Sequence, residues 1–226
     1  MLFDDKSTML YDEKSSISYT SAKDLGPEIY SVASSSSTSQ SLPSEWALTK
    51  TKKSLFKSTL YITTSSGTPH HAVSTHCGHS GVTIHTTNDQ ASEPLITARR
   101  YLGDFDVRMP SHNINLKASV RWRFTTHPTV QWDMIMPHGG VEHFEWANSR
   151  GSWKLTRRSA AGEEDVVAKW HFSYCSSRLS GDFECVGAGA SGELGETFQY
   201  VAAAIALAIG KVDRDTNMAV LAGTSS

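Results

Sequence analysis

The chain has little of what usually marks a readable class of protein. Its three cysteines, Cys77, Cys175 and Cys185, are too few and too odd in number for a secreted disulfide framework. Cys175 and Cys185 could face each other across a hairpin, but reduced, half-buried thiols are the favoured reading. Neither charge sign dominates. Lys and Arg total 21 against 23 Asp and Glu, a formal charge of −2, so no nucleic-acid partner is expected. MLFDDKSTMLYDEK carries no apolar run, hence no signal peptide, and there is no N-x-[ST] acceptor. Together these predict an intracellular, cytoplasmic protein. There is no G-x-S-x-G, no P-loop, no H-E-x-x-H and no cysteine in a catalytic setting. Asp133, His138 and His143 lie near one another, but nothing in the pattern marks them as a constellation. No catalytic residue and no cofactor is therefore assigned. An enzyme whose site assembles only in space is the most distant alternative.

What is present divides unevenly. Residues 1–45 hold seven acids and three bases and contain SVASSSSTSQSLPS, which predicts a disordered Ser-rich leader. From Trp46 onward, short alternating stretches are separated by turn residues. STLYITTSSG puts Leu60 and Ile62 on one face, and GVTIHTT does the same with Val82 and Ile84. PLITARR follows, and DFDVRM alternates Phe105, Val107 and Met109 with charges. In SVRWRF, Val120, Trp122 and Phe124 oppose Arg121 and Arg123. VEHFEWA pairs Phe144 with Trp146, WKLTRR and VVAKWHF flank a turn, and DFECV closes the series. This number of strands, with no helical pattern between them, indicates an antiparallel sandwich or barrel.

One segment breaks the pattern. TFQYVAAAIALAIGKV, residues 197–212, has an uncharged middle with apolar residues on every side of a helical wheel, whereas a surface helix keeps one polar face. It spans about 22 Å and is shorter than the roughly 20 apolar residues of a membrane span. Glu193 and Glu196 precede it, and Lys211 and Arg214 close it, which suits the helix dipole. Phe198, Val201, Ile205, Ile209 and Val212 form one stripe, and five alanines cover much of the rest. The segment reads as a helix packed inside a β structure.

Strands ending in one hydrophobic helix resemble the tubby-like superfamily, which groups tubby C-terminal domains, phospholipid scramblases and LURP-one-related proteins. The resemblance is carried by STLYITTSSGTP, GVTIHTT, LITARR, FEWANSRGSWKL, VVAKWHF and the terminal helix, and is greatest to a fungal group. It implies a mainly β fold, a closed antiparallel barrel around a central helix, over residues 46–215, with 216–226 as a tail. It also implies recognition of phosphoinositides through basic residues on the barrel. Scrambling activity is not implied, because the chain has neither a cysteine cluster nor a calcium loop.

Three local motifs admit a functional and a plain reading. GAGASG, residues 187–192, matches G-x-G-x-x-G, but only 34 residues follow and no βα units precede it. A flexible turn feeding the helix is the better reading. HHAVSTHCGH, residues 70–79, offers His70, His71, His76, Cys77 and His79, yet a second ligand pair is absent, so histidines on a solvated hairpin are expected and no metal is assigned. The third is charge. Residues 99–158 hold ten bases against five acids. A solvated outer face is the plain reading of this excess. The functional reading is an anion-binding surface of Arg121, Arg123, Arg157 and Arg158, since guanidinium groups grip phosphate in bidentate fashion. The expected function is a binding module peripheral to an anionic membrane lipid. A scaffold with a protein partner and no lipid role is the alternative.

Overall fold

The alternation read from the sequence becomes one continuous wall of strands. The computed structural model describes residues 41–52, 58–76, 81–122, 128–149, 152–159, 162–172 and 180–223. Twelve strands follow in order: β1 (Glu45–Lys52), β2 (Ser58–Thr63), β3 (Pro69–His76), β4 (Gly81–His85), β5 (Pro94–Tyr101), β6 (Asp104–Met109), β7 (Ile114–Trp122), β8 (Pro128–Ile135), β9 (Val141–Ser149), β10 (Ser152–Arg158), β11 (Glu164–Phe172) and β12 (Gly181–Cys185). Each pairs antiparallel with its chain neighbours. β1 also pairs with β12 in the register Trp46 to Phe183, which closes the barrel. Closure removes every sheet edge.

A barrel of this many strands is too wide for its own side chains to fill, since about eight strands already enclose a packed interior. The remaining volume is taken by helix α2 (Gly195–Gly223), which follows the short helix α1 (Ala188–Ser191). Residues 200–211 of α2 are buried without a break. Every face of the helix therefore meets protein, as the sequence pattern required. The helix is longer than expected, because its backbone continues past Arg214 through the residues taken for a tail. Among the described residues, no helix is long and apolar enough to cross a membrane.

The helix is not centred. Its backbone comes closest to β4, β5 and β6, whose inward side chains include Val82, Ile84, Ile96, Ala98 and Val107, with Phe105 and Met109 the larger ones on β6. Alanines at 202–204, 206 and 208 keep α2 thin enough for that approach. The opposite half is filled by Trp132, Phe144, Trp146, Trp153, Trp170 and Phe183, with Trp46 of β1 stacked on Phe183 at 4.7 Å. Phe198 joins the halves, its ring 5.0 Å from Phe144. Each such aromatic buries a large apolar area, so this side supplies much of the hydrophobic driving force.

Several expectations are corrected. Leu42 is part of the core and β1 begins at Glu45, so the domain starts before Trp46; residues 1–40 lie outside the described residues. HHAVSTH is one arm of a hairpin, strand β3 paired with β4, but it is only partly solvated. Its sequence alternates too weakly to be read as a strand, and His71 is buried against the Tyr200 ring. PTVQWDMI, not among the strands expected from the sequence, is strand β8, with the polar Thr129 and Gln131 buried. GAGASG is not a flexible turn. Gly187 takes φ 51°, and a Cβ on Gly189 would lie 2.1 Å from the Val167 carbonyl oxygen. These glycines let α1 press onto β11, not onto a nucleotide. Cys185 is a free thiol in the core, its pKa pushed up to about 12 chiefly by burial; Cys77 and Cys175 lie outside the described residues.

Candidate functional site

The antiparallel meander gives the barrel two mouths of different chemistry. α2 enters at one, where Phe198 follows Glu193 and Glu196. Arg157 turns inward there, because it continues the inward face of Trp153 and Leu155 and stands opposite Phe144 in the register. Only 11 % of its side chain is exposed. It meets Glu193 at 2.8 Å, Asp165 at 3.0 Å and Glu142 at 3.6 Å. The Glu142 side chain is just 6 % exposed. Bonding to Glu193, then to Asp165, holds the guanidinium above its ordinary pKa. Nearby, burial first and the Glu196 carboxylate second push the Tyr200 phenol well up. This mouth is a closed charge cluster in which the cation is already saturated.

At the other mouth α2 emerges, and the balance reverses. Lys50 of β1, Arg99 and Arg100 of β5, Arg121 of β7 and Arg214 of α2 lie toward this end of their elements. None of the five forms an ion pair among the described residues. Of the acids here three are occupied, whereas Asp106 and the exposed Asp182 at the start of β12 form no ion pair among the described residues. Asp104 bonds Lys117 at 3.0 Å and accepts the Val120 N–H, and these bonds hold its carboxyl below the usual range. Asp215 bonds Lys211, and Asp213 is engaged as well. Asp106 stands across from Arg99 in the register without pairing to it.

Part of this mouth is a notch. The ladder between β2 and β3 stops at Leu60–Val73, so Ser74 and Thr75 have no partner on β2. A cavity of about 410 Å³ opens beside them, lined by Lys50, Leu60, Val73, Ser74, Thr75, Gln90 and Arg214. Gln90 Nε2 donates to the Val73 carbonyl. The Arg214 Nε is buried and has no acceptor among the described residues. Two cations, hydroxyls and an amide with no carboxylate make a lining suited to an anion.

The four arginines singled out by sequence are not brought together. Arg121 is exposed on the outer face, as the alternation predicted. Arg123 lies outside the described residues. Arg158 is on the outer face of β10, bonded to Glu164, and Arg157 is the inward cation of the acidic mouth. Arg121 ends β7 at one mouth, whereas Arg157 and Arg158 end β10 at the other. Antiparallel strands deliver a linear run of bases to both ends. Lys50 and Arg214 were missed because they lie outside the basic stretch, and only closure brings them into one notch.

Other candidate groups stay apart. His71 Nδ1 donates to the His85 carbonyl, whereas His76 Nε2 meets Thr83 Oγ1. No cluster of three His, Cys, Asp or Glu suited to a metal occurs among the described residues. His143 and Asp133 do meet, at 2.8 Å across the β8–β9 register, and both are accessible to solvent. No family model matches the chain, and no match is found among curated proteins or solved structures.

Proposed function

We propose that the protein is a non-enzymatic binding module that docks its basic mouth on an anionic surface of phosphate-bearing lipid headgroups. The observation that carries this reading is the set of five cations without ion-pair partners among the described residues, Lys50, Arg99, Arg100, Arg121 and Arg214, gathered at one end of the barrel. The notch between β2 and β3 is where a phosphate group fits best, since it presents Arg214 and Lys50 without a competing carboxylate. A closed barrel with one hydrophobic helix is the architecture that the tubby-like resemblance implies, and phosphoinositide recognition is the function that this resemblance implies. Of Arg121, Arg123, Arg157 and Arg158, Arg121 belongs to the proposed surface. Arg157 and Arg158 leave it, because carboxylates already hold them.

Each Lys or Arg near an anionic leaflet contributes about 1 kcal/mol. Five of them would therefore strengthen binding by about three orders of magnitude or more. The test is cosedimentation with vesicles containing phosphoinositide or phosphatidylserine across a salt series. Binding is expected at low salt and should weaken steeply as exposed charges are screened over about 10 Å. A protein that ignores such vesicles even at low salt refutes the reading. One observation favours a protein-docking alternative instead: Ile135 and Val141, paired across the β8–β9 turn, are both exposed at the acidic mouth.

A further inference from the structure

The β5–β6 hairpin ends in a feature that charge alone does not explain. Two residues, Leu102 and Gly103, join Tyr101 to Asp104, and both have positive φ, 49° and 103°. Tight two-residue hairpin turns of this kind favour Asn, Asp or Gly. A leucine is strained there, because its Cβ crowds the neighbouring carbonyl. Packing does not offset the strain, since Leu102 is 91 % exposed and Tyr101 is 62 % exposed. A strained backbone that holds apolar side chains in water marks a tip whose partner lies outside the molecule.

We infer that this tip is a wedge that enters the interfacial layer of an anionic bilayer while the surrounding cations meet the headgroups. The inference rests on the surface-binding reading and deepens it. The tip stands at the basic mouth. Arg99 and Arg100 directly precede Tyr101 on the same strand, and Arg121 is on the adjoining β7. The turn is braced from β7, whose Val120 N–H donates to Asp104 Oδ1 at 3.0 Å. The Lys117 ammonium, 3.0 Å from that carboxylate, offsets the nearest negative charge. Tyrosine, with an apolar ring and a polar end, suits the headgroup boundary, and leucine suits the layer just beneath. A bilayer fits better than a protein groove. Two side chains on a hairpin tip are far too small for a stable protein interface, whereas shallow insertion adds directly to electrostatic adsorption.

Leu102→Gly separates the wedge from the fold, because glycine accepts this backbone shape without strain. Its melting temperature is expected to match or exceed that of the parent protein. Its partition onto mixed phosphatidylcholine and phosphatidylserine vesicles is expected to fall by about tenfold or more, the worth of one buried leucine. Binding that survives high salt should fall with it, since salt screens the arginines but not the wedge. Leu102→Trp should retain binding. If the parent binds these vesicles and Leu102→Gly binds as tightly, the wedge is overturned and the surface reading stands. A drop of several degrees in the Leu102→Gly melt would make Leu102 a structural residue and overturn it as well. If the parent binds no anionic vesicle at any salt, both inferences fall together.

Discussion

The two mouths of the barrel use the same residue types to opposite ends. At the acidic mouth Arg157 is 11 % exposed and shares three carboxylates, so its charge is spent on the fold. At the basic mouth Arg99 and Arg121 are exposed and without ion-pair partners among the described residues, so their charge is open to a ligand. Arginine content therefore says little about binding. What decides is whether the strand register has already placed carboxylates within reach. Buried ion pairs are costly to break from one side, while exposed cations contribute little to stability.

That contrast can be broken most severely through the element both mouths share. Ile205 is fully buried in α2. An Ile205→Asp variant should place an unpaired carboxylate in the core at a cost of several kcal/mol and yield no cooperative melt. Retention of a native melt would mean that α2 is not enclosed. Next, Arg157→Met should destabilise by about 3 kcal/mol, because Glu142 is left buried without its cation. Adding Glu142→Gln should recover much of that loss. Vesicle binding by folded Arg157→Met should be unchanged, and a loss would return Arg157 to the binding surface. The mirror experiment replaces Lys50, Arg99, Arg121 and Arg214 by Gln. Binding to anionic vesicles should fall by about a thousandfold, and the melting temperature should move by no more than a few degrees.

The smallest expected effect is on pH dependence, and β3 carries one contributor toward each mouth. His70 is held below its ordinary value by burial, and His76 by burial first, then by Arg99 and His85. A depressed histidine binds fewer protons in the folded chain than in the unfolded one. Its contribution is complete above the ordinary value of 6.5 and is lost as pH falls through the folded value. Thermal melts should therefore weaken on acidification through that range, and His76→Gln should flatten part of the slope. An unchanged slope would remove His76 from the account.

Much of the wall was legible in the sequence because strands that alternate apolar with charged residues show their period directly. DFDVRM and VEHFEWA became β6 and β9 with the expected faces inward. β3 and β8 were less legible. HHAVSTH and PTVQWDMI mix polar and apolar residues on both faces, and several of their polar positions, such as His71, Thr129 and Gln131, are buried. The candidate site was the least legible part. Its cations come from β1, β5, β7 and α2, and no spacing rule connects Lys50 to Arg214.

The sequence by itself determined that the chain would form an antiparallel β structure around a buried helix. Periodicity and an uncharged segment on a fixed rise per residue are local properties. Only the tertiary structure decided which charges stay open. Strand direction sends neighbouring bases to opposite mouths, and closure through β1 and β12 brings distant ones together. Whether each cation then meets a carboxylate depends on register and distance, which no linear count contains.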